Sequence, residues 1–504
     1  MIALTVAQIA EIVGGRLADI TPEQAERTVV TGTVEFDSRR ITPGALFLAL
    51  PGARADGHDH AASAVNAGAV AVLAARPVGV PAVVVEPVAS DSQSGALEHD
   101  DEAGSGAAVL AALAKLAAAV AAALVAKGLT IIGVTGSSGK TSTKDLIAAV
   151  LAPLGEVIAP PGSFNNELGH PWTVLRADEN TDYLVLELSA RHRGNIAALA
   201  AIAPPQIAVV LNVGTAHLGE FGSREAIAET KAELAQAVPE SGVVILNVDD
   251  SAVAAMADKT VARVVRVSRS APADVWAEPV VLDELARPRF TLHSGGEGAE
   301  VPVSLGVSGD HQVGNALCAA AVALECGATP QQVADALAGA GPASQHRMQV
   351  STRADGVTVI DDSYNANPDS MRAALQALAW ISRGKNPGAK RRSWAVLGEM
   401  AELGEDAISE HDRIGRLAVR LDVSRLIVVG VGRSMGAMLH GAVMEGSWGT
   451  EERGAAAVQD VDAALALLRA ELRAGDVVLV KASNSAGLTA LAEALTSENP
   501  GDRR

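Results

Sequence analysis

The chain has 504 residues, of which 49% are hydrophobic and 2% aromatic, and its formal net charge is −19. This length predicts about three domains, with cores built mainly from Ala, Val, Leu and Ile. The negative charge argues against nucleic acid and anionic membranes as general partners. Cys318 and Cys326 are the only cysteines. They give neither a metal-ligand spacing nor a disulfide framework, which indicates a reducing compartment.

The first part of the chain predicts a small α/β domain followed by a linker. The N-terminal run MIALTVAQIAEIVGG has no basic region or cleavage site, so it predicts the first amphipathic helix of a cytoplasmic protein. Residues 1–89 alternate short apolar runs with Gly and Pro turns. Residues 90–106 are polar, acidic and low in complexity, which indicates a linker or insertion.

The next run, Ala107–Lys127, is about as long as a membrane span and consists mostly of Ala, Leu and Val. Lys115 lies near its middle, and Ala is only weakly hydrophobic. We therefore expect a helix packed beside a sheet, with no insertion into a membrane.

A phosphate-binding loop follows this helix. The run LTIIGV predicts a buried parallel strand, and it leads through TGSSGKT into a segment of helical composition. Glycines let backbone N–H groups approach phosphate oxygens, the helix N-terminus adds partial positive charge, and a Lys-Thr pair can serve the terminal phosphates and Mg²⁺. The general pattern has a glycine where Val134 stands, so a glycine-rich turn without a ligand is the alternative. The sequence favours binding of ATP or GTP.

Two doubly wound sheets are predicted around and after this loop. Residues 107–341 form the central ATP-binding domain, with a mostly parallel sheet that includes strands at 183–188, 206–213 and 243–248. Residues 342–504 form a smaller, Rossmann-like C-terminal domain, with strands at 357–361, 394–398, 426–430 and 477–482.

Four polar residues of the central region are candidates for ligand contacts. Glu187 ends a predicted strand at the sheet edge where such folds bind ligands, and it is either a Mg²⁺ ligand or a solvated carboxylate. His217 follows the next strand and is either a ligand or structural. Lys231 alone resembles a surface helix lysine. Asn315 opens a small-residue helix and can pair with an adenine edge.

Together, several motifs resemble the Mur ligase family, which builds the peptide of bacterial peptidoglycan. The resemblance covers nearly the whole chain in order and rests on FDSRRITPGALFLALPGARADGHDH, TGSSGKTSTKD, SFNNELGHPWTVL, ELSARHRGNI, NVGTAHLGEFGS, HRM, DDSYNANPDSM and LGEMAELGE. It implies a three-domain, ATP-dependent ligase that forms an amide bond through an acyl phosphate. DSYNANPDSM and FNNELGHP resemble the members that join D-alanyl-D-alanine to UDP-N-acetylmuramoyl-tripeptide.

The resemblance also implies roles for individual residues. Catalytic residues would be Lys140, Glu187, His217 and Lys231. ATP would be held by Thr135, Gly136, Ser137, Ser138, Gly139, Lys140, Thr141 and Asn315, and on domain closure by Arg347, Asp362 and Asn365. Two Mg²⁺ ions would be held by Thr141 with Glu187, and by His217 with Lys231 as a carbamate. Substrate would be bound by Asp37, Ser38 and Arg39 at the uridine-diphosphate end, and by Asn165, Asn166 and Ser189 in the cleft.

Two departures and three rival interpretations remain. HQVGN replaces the usual His-Asn start of the adenine motif, and LVKASNSAGL replaces a commoner Lys-Gly-Ser-Arg pattern, which leaves the dipeptide-binding residues open. The rivals are the ligase that adds the third amino acid, a folylpolyglutamate synthase, and a noncatalytic nucleotide-binding regulator. DSYNANP and the nucleotide-sugar-like first domain argue against the first two. Intact catalytic positions argue against the third. We expect a cytoplasmic monomer.

Overall fold

The computed structural model of the protein describes residues 1–52, 55–87, 101, 104–214, 218–295, 299–384, 391–446 and 454–497. In this part of the chain the strands form three sheets that follow one another in sequence, together with one small strand pair. Helices pack on the sheets, and most neighbouring strands are parallel. The predicted α/β architecture with three units is confirmed.

The N-terminal sheet has the strand order β2-β7-β6-β5-β4, in which only the β2–β7 pair is antiparallel. Helix α1 begins after Thr5, whose hydroxyl accepts the Gln8 N–H while the Gln8 side chain accepts the Thr5 N–H. This reciprocal cap satisfies two N–H groups that the first helical turn leaves unpaired. The elements are β1 (Leu4–Thr5), α1 (Val6–Val13), β2 (Arg16–Ala18), α2 (Pro22–Arg27), β3 (Val29–Val30), β4 (Val34–Glu35), β5 (Leu46–Leu48), α3 (Ala61–Asn66), β6 (Ala71–Ala74) and β7 (Ala82–Val84).

The central sheet has the order β16-β15-β14-β13-β12-β11-β8-β10-β9, parallel from β9 to β14 and antiparallel beyond. Its strands are β8 (Thr130–Thr135), β9 (Val157–Ile158), β10 (Tyr183–Glu187), β11 (Ile207–Val210), β12 (Val243–Asn247), β13 (Arg263–Ser268), β14 (Val275–Leu282), β15 (Pro288–Ser294) and β16 (Ala299–Ser304). Its helices are α4 (Ser105–Val125), α5 (Lys140–Leu151), α6 (Gly169–Val174), α7 (Asn195–Ile202), α8 (Leu218–Phe221), α9 (Arg224–Gln236), α10 (Ser251–Ala254), α11 (Gln312–Glu325) and α12 (Pro330–Gly339). Strands β13 to β16, including the antiparallel extension, were not predicted from the sequence.

Helix α4 is the apolar run for which a membrane span was considered, and it begins at Ser105. Within the described chain it alone is long and apolar enough to cross a membrane, but 56% of its most apolar window is buried. It packs against α1 of the N-terminal region and against α6 and α7 of the central region. The Lys115 ammonium donates to the Val13 carbonyl at 3.3 Å, at the end of α1. The helix is therefore part of the core that joins these two regions.

The C-terminal sheet has the order β17-β18-β22-β19-β20-β21, antiparallel only at β17–β18. Its two faces are covered by separate apolar clusters. The elements are β17 (Gln349–Thr352), β18 (Thr358–Asp361), α13 (Pro368–Ser382), β19 (Ser393–Leu397), α14 (Ala407–Arg420), β20 (Arg425–Val429), α15 (Arg433–Glu445), β21 (Gly454–Val458), α16 (Val461–Glu471), β22 (Val477–Lys481) and α17 (Leu488–Ser497).

Helices α14 and α15 approach each other closely at Gly415. Gly415 lies on α14, and a Cβ there would lie 1.9 Å from the carbonyl oxygen of Met438 on α15. Gly436 also lies on α15, but a Cβ there would meet nothing within 4 Å. We expect Gly415→Ala to lower the free energy of unfolding by about 1–3 kcal/mol, because the helices must move apart. Gly436→Ala should raise it by about 0.5–1 kcal/mol through helix propensity.

Urea unfolding followed by circular dichroism measures both changes. A Gly415→Ala protein at least as stable as Gly436→Ala would contradict the close helix contact.

Candidate active site

The phosphate-binding loop connects the end of β8 to the start of α5. Thr135 is the last residue of β8, and its hydroxyl donates to the Leu188 carbonyl at 2.9 Å. Gly139 directly precedes α5 with a φ of +83°, a backbone conformation that favours glycine. A Cβ at this position would also lie 2.7 Å from the Asn315 Oδ1 atom. Both observations require glycine here, as the loop motif predicts.

Asn212 anchors the loop, although this role was not predicted from the sequence. Its Oδ1 accepts the backbone N–H groups of Ser137 and Ser138, each at 3.0 Å, and its Nδ2 donates to the Ser138 carbonyl at 3.1 Å. Asn212 follows β11, the parallel neighbour of β8, so the two strand ends meet at one edge of the sheet. The signal available in the sequence was its position in the LNV run directly after that strand.

Thr141 and Glu187 form the polar centre of the site. The Thr141 hydroxyl donates to Glu187 Oε2 at 3.0 Å, and Asn165 Nδ2 donates to Glu187 Oε1 at 2.7 Å. Glu187 ends β10, the other parallel neighbour of β8, and is 2% exposed. A hydroxyl and a carboxylate held together in this way supply the hard oxygen atoms that Mg²⁺ prefers. The Ser189 N–H donates to the Asn165 carbonyl at 3.2 Å, which links the two strand-end loops.

Two lysines lie beside this centre. The Lys140 ammonium donates to the Gly136 carbonyl at 2.8 Å; burial lowers its pKa, and the Glu187 carboxylate opposes that shift. Lys231 lies on α9 and is 7% exposed. Burial, reinforced by the positive charge of Lys140, moves the pKa of Lys231 well below its usual range. Lys231 therefore carries a neutral amine far more readily than the surface lysine that its local sequence suggests.

Asn315 lies against the phosphate loop. Besides its close approach to Gly139, it is 6% exposed and its Nδ2 donates to Gln312 Oε1 at 2.8 Å. Gln312 is the residue that departs from the usual adenine motif. The substitution therefore leaves Asn315 in place and supplies it with a hydrogen-bond acceptor.

A cation from the C-terminal region reaches the same centre. Arg347 Nη2 donates to the Ser163 hydroxyl at 2.9 Å and lies 3.4 Å from Thr141 Oγ1. Ser163 Oγ is itself 2.9 Å from Thr141 Oγ1. The guanidinium of Arg347 lies over the Tyr364 ring, 4.3 Å from its centroid. The loop Asp362–Asn365 thus joins the site through Tyr364 and Arg347, while the Asn365 side chain is exposed.

Trp172 connects the segment that carries the N-terminal candidates to the loop that carries Asn165. Asp37 accepts the Arg39 N–H at 3.0 Å and the Arg39 guanidinium at 2.9 and 2.8 Å, and these bonds hold the pKa of Asp37 at about 2. Trp172 Nε1 donates to the Val34 carbonyl at 2.8 Å, three residues before Asp37. The Trp172 ring also contacts Phe164, at 4.7 Å between centroids, next to Asn165.

The remaining candidates are Ser38, Asn166 and His217. Ser38 opens the short 3-10 turn Ser38–Arg40 and is half-buried. Asn166 Oδ1 accepts the Gly169 N–H at 2.9 Å, so this side chain stabilises the start of α6. His217 lies outside the described residues.

The loop, the strand-end carboxylate and the cation from the next region define a class of protein, a nucleotide-dependent ligase in which separate regions share one site. Comparisons with known proteins agree. Residues 32–132 match the Mur ligase family, catalytic domain; residues 134–323 match the Mur ligase middle domain; and residues 346–484 match the Mur ligase, glutamate ligase domain. The chain belongs to the Mur ligase family.

Individual relatives cover nearly the full chain. A Mycobacterium tuberculosis UDP-N-acetylmuramoyl-tripeptide–D-alanyl-D-alanine ligase is 76% identical over 508 residues, which is 99% of each chain. The crystal structure of MurF from Acinetobacter baumannii has a TM-score of 0.80 at 29% identity and covers 98% of this chain and 99% of its own. MurF ligase from Thermotoga maritima in complex with ADP has a TM-score of 0.71 at 27% identity and covers 92% and 97%.

The packing of Gly139 predicts a loss of nucleotide affinity on substitution. Gly139→Ala would strain a left-handed backbone and also push Asn315 away from the loop, so we expect ATP affinity to fall at least about tenfold, equivalent to about 1.4 kcal/mol. Gly194→Ala is the matched control, because Gly194 precedes α7 with a φ of +87° and a Cβ there meets nothing within 4 Å. Isothermal titration with ATP measures both variants. Gly194→Ala should lose less ATP affinity than Gly139→Ala. Equal losses of ATP affinity in the two variants would contradict a role for the contact between Gly139 and Asn315.

Proposed function

We propose that this chain joins D-alanyl-D-alanine to UDP-N-acetylmuramoyl-tripeptide, using ATP and passing through an acyl phosphate. The reaction class rests on one observation, the meeting of Thr141, Glu187 and Arg347 directly at the end of the phosphate loop. The substrates are those in the names of relatives that are 72–76% identical. The ADP complex of a structural neighbour supports ATP as the nucleotide.

The hydrogen bonds of the loop indicate which N–H groups are left for phosphate. Those of Ser137 and Ser138 already donate to Asn212. The first N–H groups of α5, from Lys140 onward, have no intrahelical acceptor and carry the positive end of the helix dipole. We place the ATP phosphates there, with Lys140 reaching the terminal group.

The reaction brings a carboxylate to the γ-phosphate, so two anions must meet. Lys140 and Arg347 would offset this repulsion and the charge that develops on the transferred group. The chain as a whole has a net charge of −19, so its cations must be concentrated locally to do this. The carboxylate oxygen attacks the γ-phosphorus, the bond from that phosphorus to the β–γ bridging oxygen breaks, and ADP leaves. The amine of the dipeptide then attacks the carbonyl carbon of the acyl phosphate, its proton is lost, and phosphate leaves. An acyl phosphate hydrolyses readily, so a site shared between regions also helps to exclude water.

The donor atoms at the centre fit Mg²⁺. Thr141 and Glu187 would hold one ion, because their oxygens are 3.0 Å apart and buried. A second would be held by Lys231 as a carbamate together with His217. Among the described residues no group of three or more His, Cys, Asp and Glu side chains could hold a metal. A Mg²⁺ ion that also binds substrate phosphates usually has only a few protein ligands. Here the ion would neutralise part of the phosphate charge.

The remaining assignments complete the proposal. Residues 1–89 would bind the uridine-diphosphate end with Asp37, Ser38 and Arg39, and 90–106 would be a linker or insertion. Residues 107–341 would bind ATP, and 342–504 would form the C-terminal ligase domain. Asn165, Asn166 and Ser189 would line the cleft, Asn315 would contact adenine, and Asp362 and Asn365 would approach ATP. We propose a cytoplasmic monomer without nucleic-acid partners.

A phosphate-release panel tests the function. With ATP, Mg²⁺ and the purified muramoyl tripeptide, we expect sustained release only when D-alanyl-D-alanine is added. Phosphate release with a single amino acid and the UDP-muramoyl dipeptide, in place of the tripeptide, would favour the ligase that adds the third residue. ATP binding without release under any condition would favour the noncatalytic regulator.

Lys140→Met should abolish this release while the fold is retained. Loss of charge stabilisation in the transition state should cost at least about 3 kcal/mol, or more than a hundredfold in rate. Lys127→Met is the control, since Lys127 is a half-exposed surface lysine paired with Glu179. Near-normal release by a folded Lys140→Met protein would contradict the role of the loop.

Lys231→Ala tests the carbamate. A neutral amine reacts with CO₂, and the lowered pKa of Lys231 favours that form. We expect the variant to lose activity and to recover part of it when short-chain carboxylates are added, because these supply the missing oxygen ligands. Lys140→Met should show no such recovery, because its amine acts as a cation. Equal behaviour of the two variants would argue against carbamylation.

A further inference from the structure

Lys481 is a buried cation for which the proposed reaction has so far no use. It ends β22, and its side chain is 2% exposed. Its ammonium donates to Asp362 Oδ2 at 2.5 Å and to the Asn365 carbonyl at 2.8 Å. Burying an ammonium is costly unless its N–H groups are paired, so these two bonds hold the loop from Asp362 to Asn365 in one shape.

The register of the C-terminal sheet fixes this ion pair. Strands β18 and β22 are parallel neighbours with Asp361 opposite Val480, and the Asp362 N–H donates to the Val480 carbonyl at 3.1 Å. Asp362 and Lys481 therefore follow equivalent positions at the carboxyl ends of adjacent strands. Their contact does not depend on a flexible surface loop.

The same carboxylate supports the backbone beside Arg347. Asp362 Oδ1 accepts the Met348 N–H at 3.1 Å, and Asp361 Oδ2 lies 2.7 Å from the His346 Nδ1 atom. His346 and Met348 have φ values of +59° and +49°. Such a conformation costs a non-glycine residue on the order of 1–3 kcal/mol, so both neighbours of Arg347 must be held in place by other groups. The two consecutive aspartates supply that restraint.

We propose that Lys481 is a positioning residue for the ligation, and that it acts through Asp362 and the Met348 backbone to hold Arg347 against Thr141 and Ser163. This inference rests on the proposed function, because it assigns Arg347 to the phosphate being transferred. Without Lys481, Asp362 would be a buried carboxylate that has lost its ion-pair partner and would reorganise. The restraint on Met348 would then weaken, and Arg347 would leave Thr141.

The first experiment compares Lys481→Met with a matched control. Arg392→Met removes another ion pair of the same sheet, with Asp476 at 2.6 Å, but at the opposite ends of the strands. Lys481→Met should lower kcat about 100-fold, a loss that misplacing a group by about 1 Å can cause, and the KM for ATP should change much less. Arg392→Met should keep the wild-type kcat per folded molecule. Equal kcat values for Lys481→Met and Arg392→Met would overturn the proposal.

A double-mutant cycle with Arg347→Met tests the route of the effect. If Lys481 acts through Arg347, adding Lys481→Met to Arg347→Met should change kcat by no more than roughly twofold. If Lys481 is merely structural, it should cost the same factor in both backgrounds, and that result would overturn the proposal.

Two further comparisons keep the test decisive. If Lys481→Met does not fold, Lys481→Arg replaces it, because a guanidinium cannot occupy the ammonium position without moving Asp362. The same dependence on Arg347 is expected, and its absence contradicts the inference. A wild-type enzyme that releases no phosphate with both substrates refutes the proposed function. An active wild type with independent effects of Lys481 and Arg347 refutes only the positioning role.

Discussion

The parallel pairing of β8 with β10 and β11 is the constraint on which the site depends. Glu187 lies opposite Val134 in one pair, and Val210 lies opposite Thr135 in the other. All three strands therefore end at one edge, where α5 also begins. Hydroxyl, carboxylate and amide groups that are far apart in sequence meet there because the backbone register aligns them. A slip of one residue would turn each side chain to the other face of the sheet.

Cations are concentrated at this edge in a protein of negative net charge. Lys140 comes from the central region and Arg347 from the C-terminal region, while Lys231 beside them more readily carries a neutral amine. Burial lowers the pKa of both Lys140 and Lys231, because it disfavours the charged form of each amine. Perturbed groups of this kind cluster at functional sites more often than elsewhere. The local excess of positive charge suits a substrate and a nucleotide that are both anionic.

The site is also joined to the N-terminal region by packing and to the C-terminal region by polar contacts. Trp172 donates a hydrogen bond to the Val34 carbonyl, and its ring contacts Phe36 and Phe164. The N-terminal sheet is therefore joined to the loop that carries Asn165. On the C-terminal side, Arg347 contacts Thr141 and Ser163 of the central region. Changes in either region can therefore reach the phosphate loop through a short series of direct contacts.

The sequence alone determined the local elements and the chemistry they carry. The phosphate loop, the strand that ends at Glu187 and the loop from Asp361 to Asn367 were predictable, because strand patterns, glycines and caps are encoded by neighbouring residues. The buried state of Lys231 was not, since its helix has the composition of a surface helix. Asn212 and Lys481 were missed for a different reason, because each acts on a segment that a neighbouring strand brings close.

The roles of Asn212 and Lys481 follow only from which strands are neighbours: β11 beside β8, and β22 beside β18. Strand order in a parallel sheet depends on crossover connections that bring distant segments together, and no local pattern records it. The antiparallel pairing of β14 with β15 and of β15 with β16 was likewise decided by tertiary packing, as was the position of α4 between two regions. The sequence thus determined which groups are present, and the tertiary structure decided which of them act together, because their contacts join residues up to about two hundred positions apart.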